Sequence, residues 1–218
     1  MEGWNVGTIN RSNFPTFHLS IEPQGLPGAE NMAVDESLLA QADRSGESFL
    51  RLYRWDPPCL SLGRNEPAVE RASVATVRRP TGGRAVWHEH EGTYAVAAPL
   101  AMFGRLRTAY CAIHERLATA LRSLGADVSL APDRPTARLS DRPPSCFATT
   151  VGGEILVDGR KLVGSAQVRR RAAFLQHGSI LLDGPPTENA TTLRHALGRV
   201  VTFEEVALAI VAAWEAPF

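Results

Sequence analysis

The sequence predicts an α+β fold, in which a mixed, largely antiparallel sheet is flanked by helices. Three observations support this prediction. Short strand-like segments dominate the first two-thirds of the chain, and helical segments precede, separate and follow them. Two apolar segments are also joined by the two-residue turn Asp158-Gly159, which is a strong hairpin signal. A parallel sheet would show a regular alternation of strand and helix instead.

The length of 218 residues suits one domain with a hydrophobic core. Residues 1–16 are polar and irregular, so we expect a flexible leader there. Residues 17–218 are then expected to form a single domain.

The first elements are a strand at 17–21 and a helix from 29 to about 42. The helix has apolar residues spaced to share one buried face: Met32, Ala33, Leu39 and Ala40. Asp35 and Glu36 interrupt that apolar pattern. Strands are expected next at 49–55, 59–63, 74–79, 84–90 and 93–99. A long amphipathic helix follows at about 104–124, with Gly125 placed to end it.

The second half begins with a proline- and arginine-rich loop, residues 131–145, which leads directly to Cys146. The predicted hairpin pairs 154–157 with 160–164, and a further strand covers 173–182. Thr202 and Glu205 have the spacing of a capping box before a C-terminal helix at 206–214.

The composition excludes several classes of protein. The 23 basic and 23 acidic side chains cancel, which argues against a nucleic-acid or anionic-membrane partner held by bulk charge. The chain has three widely spaced cysteines and no run of 18 apolar residues, so we expect a cytoplasmic protein. Lys161 is the only lysine, and it matters because arginine can replace its charge but not its titratable amine.

The segment Pro80-Thr81-Gly82-Gly83 lies between two predicted strands and is bracketed by arginines. Paired glycines let the backbone approach a ligand closely and present N–H groups to an anion or a carbonyl. An ordinary hairpin turn with solvated arginines is the alternative.

His88 and His90 are two apart on a predicted strand, which would place them on the same face. They could form half of a zinc site, but the nearby third ligands are only Glu89, which strand alternation points to the opposite face, and Glu91. No metal is therefore expected. One histidine facing the ligand of the glycine segment is the favoured interpretation. The second histidine signal is Gln176-His177-Gly178-Ser179, which interrupts an apolar strand. It indicates either a bulge or close backbone approach to a ligand, or else a buried structural histidine.

Cys146 and Lys161 form the strongest candidate catalytic pair. A thiol is nucleophilic as the thiolate, and a nearby cation favours that form. The hairpin register is expected to pair Leu156 with Lys161 and Glu154 with Val163, so that Lys161 faces mainly apolar surroundings. Cys59 and Cys111 are expected to be small buried hydrophobic residues instead.

Four segments together resemble the lipoate–protein ligase A/B family, which is related to the biotin ligases. The resemblance covers about residues 15 to 215, and its motifs occur in the family's order. They are Asn31-Met32-Ala33-Val34-Asp35-Glu36, the run from Arg78 to His88, the run from Gly159 to Gln167, and Gln176-His177-Gly178-Ser179. The implied fold is the catalytic domain of the biotin and lipoate ligases, and by this resemblance residues 17–218 would be a single catalytic domain without an accessory domain.

Three activities are possible by this resemblance: ATP-dependent lipoate ligation, octanoyl transfer from an acyl carrier protein, and octanoyl amidotransfer between lipoyl domains. Some members similar to the A-type ligases carry a cysteine ahead of the lysine hairpin, and Ser145-Cys146-Phe147 is similar to that position. Arg84 stands where ligases often have a third glycine, which leaves less room for an adenylate. The resemblance therefore favours the carrier-protein octanoyltransferase, which needs no cofactor.

By this resemblance, Cys146 would carry the octanoyl group as a thioester and Lys161 would lower the pKa of the thiol. The implied partners are octanoyl-acyl carrier protein as the donor and a lipoyl-domain protein, either the glycine cleavage H protein or a 2-oxoacid dehydrogenase E2, as the acceptor. Acyl carrier proteins and lipoyl domains are typically acidic, and the arginine cluster Arg169, Arg170 and Arg171 is a candidate for contacting them. The implied substrate-binding residues are Arg79, Thr81, Gly82, Gly83, Arg84, Ala85, His88, Gly164, Ser165, Ala166, Gln167, His177 and Gly178.

Overall fold

The structure is a computed structural model that describes residues 8–9, 16–67, 74–132 and 152–215. The helices are α1 (Gly28–Ser45), α2 (Leu106–Ser123), α3 (Leu193–Leu197) and α4 (Phe203–Glu215), with a 3₁₀ turn at Leu100–Met102. The strands are β1 (Thr8–Ile9), β2 (Phe17–Leu26), β3 (Ser48–Trp55), β4 (Cys59–Leu62), β5 (Thr76–Arg78), β6 (Val86–His88), β7 (Glu91–Pro99), β8 (Ser129–Leu130), β9 (Ile155–Val157), β10 (Arg160–Arg170) and β11 (Ala173–Leu181).

Within the described residues the strands form two sheets. The main sheet has the order β1-β2-β3-β7-β11-β10-β9-β8, and the small sheet has the order β5-β4-β6. Every neighbouring pair in the main sheet is antiparallel except β2 and β3, which are parallel and joined through α1. The predicted largely antiparallel α+β fold is confirmed, with one parallel strand–helix–strand unit at its start.

Helices cover both faces of the main sheet. The larger core cluster joins α2 and α4 to one face and includes Tyr94, Leu117, Phe174 and Ile210. A smaller cluster on the other face joins α1 to the sheet. None of the helices in the described part of the chain is long and apolar enough to cross a membrane.

The predicted buried face of α1 is partly wrong. Met32 and Leu39 are buried, but Ala33 is exposed, and the polar residues Asn31 and Asp35 are fully buried instead. Burying polar groups is tolerable only where they find hydrogen-bond partners, and both residues do.

Two local predictions are confirmed. In the turn between β9 and β10, both Asp158 and Gly159 have positive φ, as the two-residue hairpin requires. At the start of α4, the hydroxyl of Thr202 accepts a hydrogen bond from the Glu205 amide, and the Glu205 carboxylate accepts one from the Thr202 amide. This reciprocal pair is the predicted capping box.

The predicted register of the hairpin is correct for Lys161 and wrong for Val163. Lys161 pairs with Leu156 as predicted, but Val163 pairs with Ile155 and not with Glu154, because a β-bulge lies between Lys161 and Val163. The bulge turns both Leu162 and Val163 into the core on the α2 side. Lys161 and Gly164 are therefore left facing the other side of the sheet.

Thr8–Ile9 pairs with β2. The other residues of the expected leader, and nearly all of the predicted loop 131–145, lie outside the described residues. The division into a leader and one catalytic domain stays a prediction.

Candidate functional site

The glycine loop, residues 79–85, connects β5 to β6. These two strands lie on opposite sides of β4, so the loop passes across the end of β4 and is not a hairpin turn. It touches Gly63, where an added Cβ would collide with the Gly83 carbonyl oxygen. Gly83 itself has φ of +90°, which favours glycine. The two glycines thus allow direct backbone-to-backbone contact at this crossing.

The buried guanidinium of Arg79 holds the loop from inside. Its Nε and Nη2 donate to the Gly82 carbonyl at 3.2 and 3.0 Å, and Nη2 also donates to the Arg84 carbonyl at 2.5 Å. Its Nη1 donates to the carbonyl and hydroxyl of Ser61, each at 3.0 Å. Arg79 therefore shapes the glycine loop, and its contact with a substrate stays a prediction.

The middle of the loop has a buried side and an open side. Thr81 is fully buried, and its carbonyl accepts a hydrogen bond from the Arg64 amide at 2.8 Å. A Cβ added at Gly82 would meet no described atom within 4 Å. Gly83 is exposed, and Arg84 and Ala85 are half-buried. The Cα of Gly82 therefore borders space that no described residue fills, while its carbonyl points inward to Arg79. An open Cα of this kind is expected where a backbone contacts a ligand.

His88 is buried where the small sheet meets the main sheet. Its ring stacks on Trp55 with centroids 3.8 Å apart. Its Nδ1 lies 2.7 Å from Glu91 Oε1, and its Nε2 lies 2.7 Å from the Ser61 hydroxyl. Because a carboxylate only accepts hydrogen bonds, Nδ1 carries a proton.

Glu91 is a buried carboxylate in this cluster. Burial acts to raise its pKa, but the neighbouring His88 and hydrogen bonds from Ser179 and Thr93 outweigh burial and lower that pKa. Glu91 is therefore ionised at neutral pH and fixes the orientation of the His88 ring.

The predicted shared face of the two histidines on β6 is wrong. The strand ends at His88, which is buried, whereas His90 is exposed and lies 3.7 Å from Glu89. Within the described residues, no group of three or more histidine, cysteine, aspartate or glutamate side chains could hold a metal ion.

His177 connects the main sheet to the glycine loop. Its Nδ1 lies 2.8 Å from Asp35 Oδ2, and its Nε2 lies 2.7 Å from the Thr81 hydroxyl. The bulge that the sequence suggested here is absent, because β11 pairs in continuous register with both β7 and β10 across this segment. Gly178 is required by packing: an added Cβ would collide with the Ser165 hydroxyl and the Gly164 carbonyl.

Lys161 is buried, with 2% of its surface exposed, and its Nζ lies 2.8 Å from Glu154 Oε2. Glu154 is buried as well. The sequence suggested mainly apolar surroundings for Lys161, but its ammonium group has the buried Glu154 carboxylate as a direct partner. The backbone of Lys161 also pairs with the segment 189–191. The Lys161 N–H donates to the Asn189 carbonyl, and the Lys161 carbonyl accepts from the Thr191 amide.

The predicted binding residues of β10 divide between the two faces of the sheet. Ala166 lies opposite His177, and Ser165 lies opposite Gly178. The Ser165 hydroxyl contacts Tyr94 at 2.7 Å and His114 at 2.8 Å, on the α2 side.

The Gln167 amide is also used on the α2 side. It donates to the Leu106 carbonyl at 3.0 Å and to the Gln176 side chain at 2.8 Å. Of the β10 motif, Gly164 and Ala166 therefore share a face with His177, whereas Ser165 and Gln167 hold the sheet to α2. Their roles toward a substrate stay predictions.

Cys146 lies outside the described residues. Cys59 is buried, and burial raises the pKa of its thiol, as expected of an unreactive structural cysteine. Cys111 on α2 is half-buried.

Sequence reasoning missed the acidic partners of the site. Asp35, Glu91 and Glu154 each lie within 2.8 Å of a predicted site residue. Asp35 was indicated in the sequence only as an acidic residue inside an apolar helical pattern. Glu154 lies next to the hairpin strand that pairs with Lys161, but the bulge concealed their proximity.

The chain is similar to a known family and to proteins of known structure. The family model for the lipoyl protein ligase A/B catalytic domain matches residues 27–215. The octanoyltransferase LipM of Kyrpidia tusciae is 42% identical over 203 residues, which cover 84% of this chain and 74% of that protein. The octanoyltransferase LipM of Moorella thermoacetica is 43% identical over 166 residues, covering 70% of this chain and 60% of that protein. The chain thus spans about three-fifths to three-quarters of these relatives.

A solved structure confirms the fold class. A lipoate-protein ligase A crystallised with ATP superposes with a TM-score of 0.70 over 89% of this chain and 83% of that chain. Its sequence identity is 21%, so this likeness concerns the fold alone.

Proposed function

Because the chain belongs to the lipoyl protein ligase A/B catalytic-domain family, we propose that it is an octanoyltransferase of lipoate biosynthesis. It moves an octanoyl group from octanoyl-acyl carrier protein to a lysine of a lipoyl domain, on the H protein or an E2. The observation that carries this proposal is the 42% identity over 203 residues to an enzyme named octanoyltransferase.

The proposed reaction has two displacements. The Cys146 thiolate attacks the carbonyl carbon of the octanoyl thioester, a new C–S bond forms, and the bond to the carrier sulfur breaks. The carrier leaves as a thiolate that takes up a proton. The ε-amine of the acceptor lysine then attacks the octanoyl-Cys146 carbonyl, so that an amide forms, the amine loses a proton, and the Cys146 thiolate is regenerated. Splitting the transfer in this way lowers each barrier.

Lys161 supports this chemistry as the cation that stabilises the Cys146 thiolate. The close Glu154 carboxylate keeps an ammonium group favourable at a buried position, since an unpaired buried charge is costly. The face of the sheet that carries Lys161, Gly164 and His177 is bordered by the glycine loop, in which the Cα of Gly82 borders space that no described residue fills. The loop N–H groups are suited to the thioester oxygen, on which negative charge develops.

One assay separates this function from the other activities of the family. The protein is mixed with an apo lipoyl domain and one of three donors: octanoyl-carrier protein alone, octanoate with ATP, or an octanoylated lipoyl domain. The proposal predicts octanoylation with the carrier-protein donor and without ATP. Octanoylation only with ATP would make the protein a ligase, and octanoylation only from the lipoyl-domain donor would make it an amidotransferase.

A further inference from the structure

Asp35 occupies an unusual position for an acidic residue, because it is fully buried on the inner face of α1. Its Oδ1 accepts a hydrogen bond from Arg51 Nη1 at 2.9 Å. Its Oδ2 accepts from the Tyr53 hydroxyl at 2.9 Å and lies 2.8 Å from His177 Nδ1. The family-level function described above gives this carboxylate no role.

We propose that Asp35 is a positioning residue that acts through His177 to hold Thr81, and thereby fixes the glycine loop against the main sheet. We call the three residues Asp35, His177 and Thr81 the loop clamp. This inference rests on the proposed function for its effect on transfer, but not for its structural claim.

The direction of the hydrogen bonds follows from the chemistry of the groups. A carboxylate can only accept, so His177 Nδ1 must carry a proton. In the neutral imidazole the opposite nitrogen, Nε2, is then an acceptor. The Thr81 hydroxyl, 2.7 Å from Nε2, donates to it. Asp35 therefore selects the tautomer of His177 that can hold Thr81.

The held residue controls the open part of the loop. Thr81 precedes Gly82, whose Cα borders space that no described residue fills. Arg79 holds the carbonyls of Gly82 and Arg84 from inside the loop. The loop clamp holds the glycine loop from the main sheet. Arg79 and the loop clamp together therefore fix the orientation of the peptide at Gly82.

Arg51 alone does not explain the burial of Asp35. The guanidinium of Arg51 is already held by the Glu22 carboxylate through both Nε and Nη2. An Asp35→Asn variant therefore leaves Arg51 with a carboxylate partner, and we expect that variant to fold.

The first test needs no substitution in the clamp. Nitrogen-15 NMR of the histidine rings reports which ring nitrogen carries the proton, and a His177→Gln variant assigns the signal among the six histidines. We expect the proton of His177 on Nδ1 in the free protein. A proton on Nε2 alone would overturn the proposal.

The second test measures the loop directly. The Arg64 amide reports the position of the loop, because it donates to the Thr81 carbonyl at 2.8 Å. Its hydrogen exchange should become at least about tenfold faster in Asp35→Asn and in Thr81→Val. Thr81→Ser, which restores the hydroxyl, should recover most of the protection. Thr76→Val, which removes an exposed hydroxyl from β5, serves as the control. Unchanged exchange in both clamp variants would contradict the proposal.

The third test uses octanoyl transfer. Each single variant should raise the KM for octanoyl-carrier protein about tenfold with a smaller change in kcat. In the double variant Asp35→Asn/Thr81→Val, kcat/KM should fall no further than in the worse single variant. If the two effects multiplied, so that kcat/KM of the double variant fell about a hundredfold, the two residues would act independently and the clamp would be refuted. If the unmodified protein transfers no octanoyl group, the proposed function fails, and the NMR and exchange results still decide the clamp.

Discussion

Lys161 and Glu154 form a buried ion pair, with 3% and 4% of their side chains exposed. Breaking such a pair from one side leaves an uncompensated buried charge, which typically costs about 3–5 kcal/mol. We therefore expect Lys161→Met to lower the free energy of unfolding by several kcal/mol, as measured by urea denaturation.

The double variant Lys161→Met/Glu154→Gln is the matched control for that effect. It removes both charges, so it should recover most of the lost stability while transfer stays at least about a hundredfold below normal. Recovery of transfer together with stability would mean that Lys161 has only a structural role.

Lys161→Arg tests the identity of the cation. Arginine keeps the charge, but its planar guanidinium cannot place a compact amine at the same point. We expect a roughly hundredfold loss of octanoyl transfer with a native circular dichroism spectrum. Transfer at the normal rate would show that charge alone is sufficient.

His114 gives a prediction about pH. Burial lowers its pKa to about 4, against a smaller opposing effect of its hydrogen bond to the Gly153 carbonyl. Between pH 4 and about 6.5 the unfolded chain binds a proton at this histidine and the folded chain does not, so stability falls as the pH falls. This one group accounts for about 3 kcal/mol across that window.

The measurement compares unfolding free energies at pH 7 and pH 4.5 in the unmodified protein and in His114→Asn. The variant should lose less stability on acidification, because it lacks the group that protonates only on unfolding. Equal losses in both proteins would contradict the assignment of this pH dependence to His114.

At the scale of elements, the two glycines of the glycine loop should respond differently to alanine. The Cβ of Gly82→Ala would meet no atom of the described residues within 4 Å, so stability should change by less than about 0.5 kcal/mol. Octanoyl transfer should nevertheless fall about tenfold, because the added methyl group would occupy the space in which the octanoyl-carrier donor is proposed to bind. Gly83→Ala is the comparison, since its φ of +90° should cost about 1 kcal/mol or more.

Thermal unfolding and transfer assays on the two variants distinguish these effects. Normal transfer in a stable Gly82→Ala variant would show that the donor does not contact this peptide.

The sequence predicted the elements and their order well, because apolar periodicity and turn residues are local signals. Strand direction is not local: nothing in the patterns of β2 and β3 indicates that they pair in parallel. The same holds for the site. His177 and the glycine loop were predicted from motifs, but Asp35 lies 142 residues from His177, and Arg51 lies 16 residues from Asp35. Their proximity follows from packing of α1 on the sheet, which periodicity does not encode.

For the whole molecule, net charge is zero, so recognition of the proposed acidic carrier protein would require a local basic surface. Arg169, Arg170 and Arg171 are exposed at the end of β10 and in the turn before β11. Replacing all three with glutamine should weaken carrier-protein binding about tenfold at low salt, with a smaller effect at high salt.

Replacement of three exposed arginines elsewhere, Arg54, Arg194 and Arg199, is the charge-matched control. Titration calorimetry at two salt concentrations measures both variants. Equal weakening by the two sets would show that the surface formed by residues 169–171 is not a specific docking site.

The central claim is covalent transfer through Cys146, and intact mass spectrometry after mixing with octanoyl-carrier protein tests it most directly. The proposal predicts a mass increase of one octanoyl group, and hydroxylamine should remove this adduct. The adduct should be absent in Cys146→Ser and retained in Cys111→Ala. Addition of an apo lipoyl domain should discharge the adduct. Full transfer activity in Cys146→Ser, or an adduct that survives that substitution, would contradict the proposed mechanism.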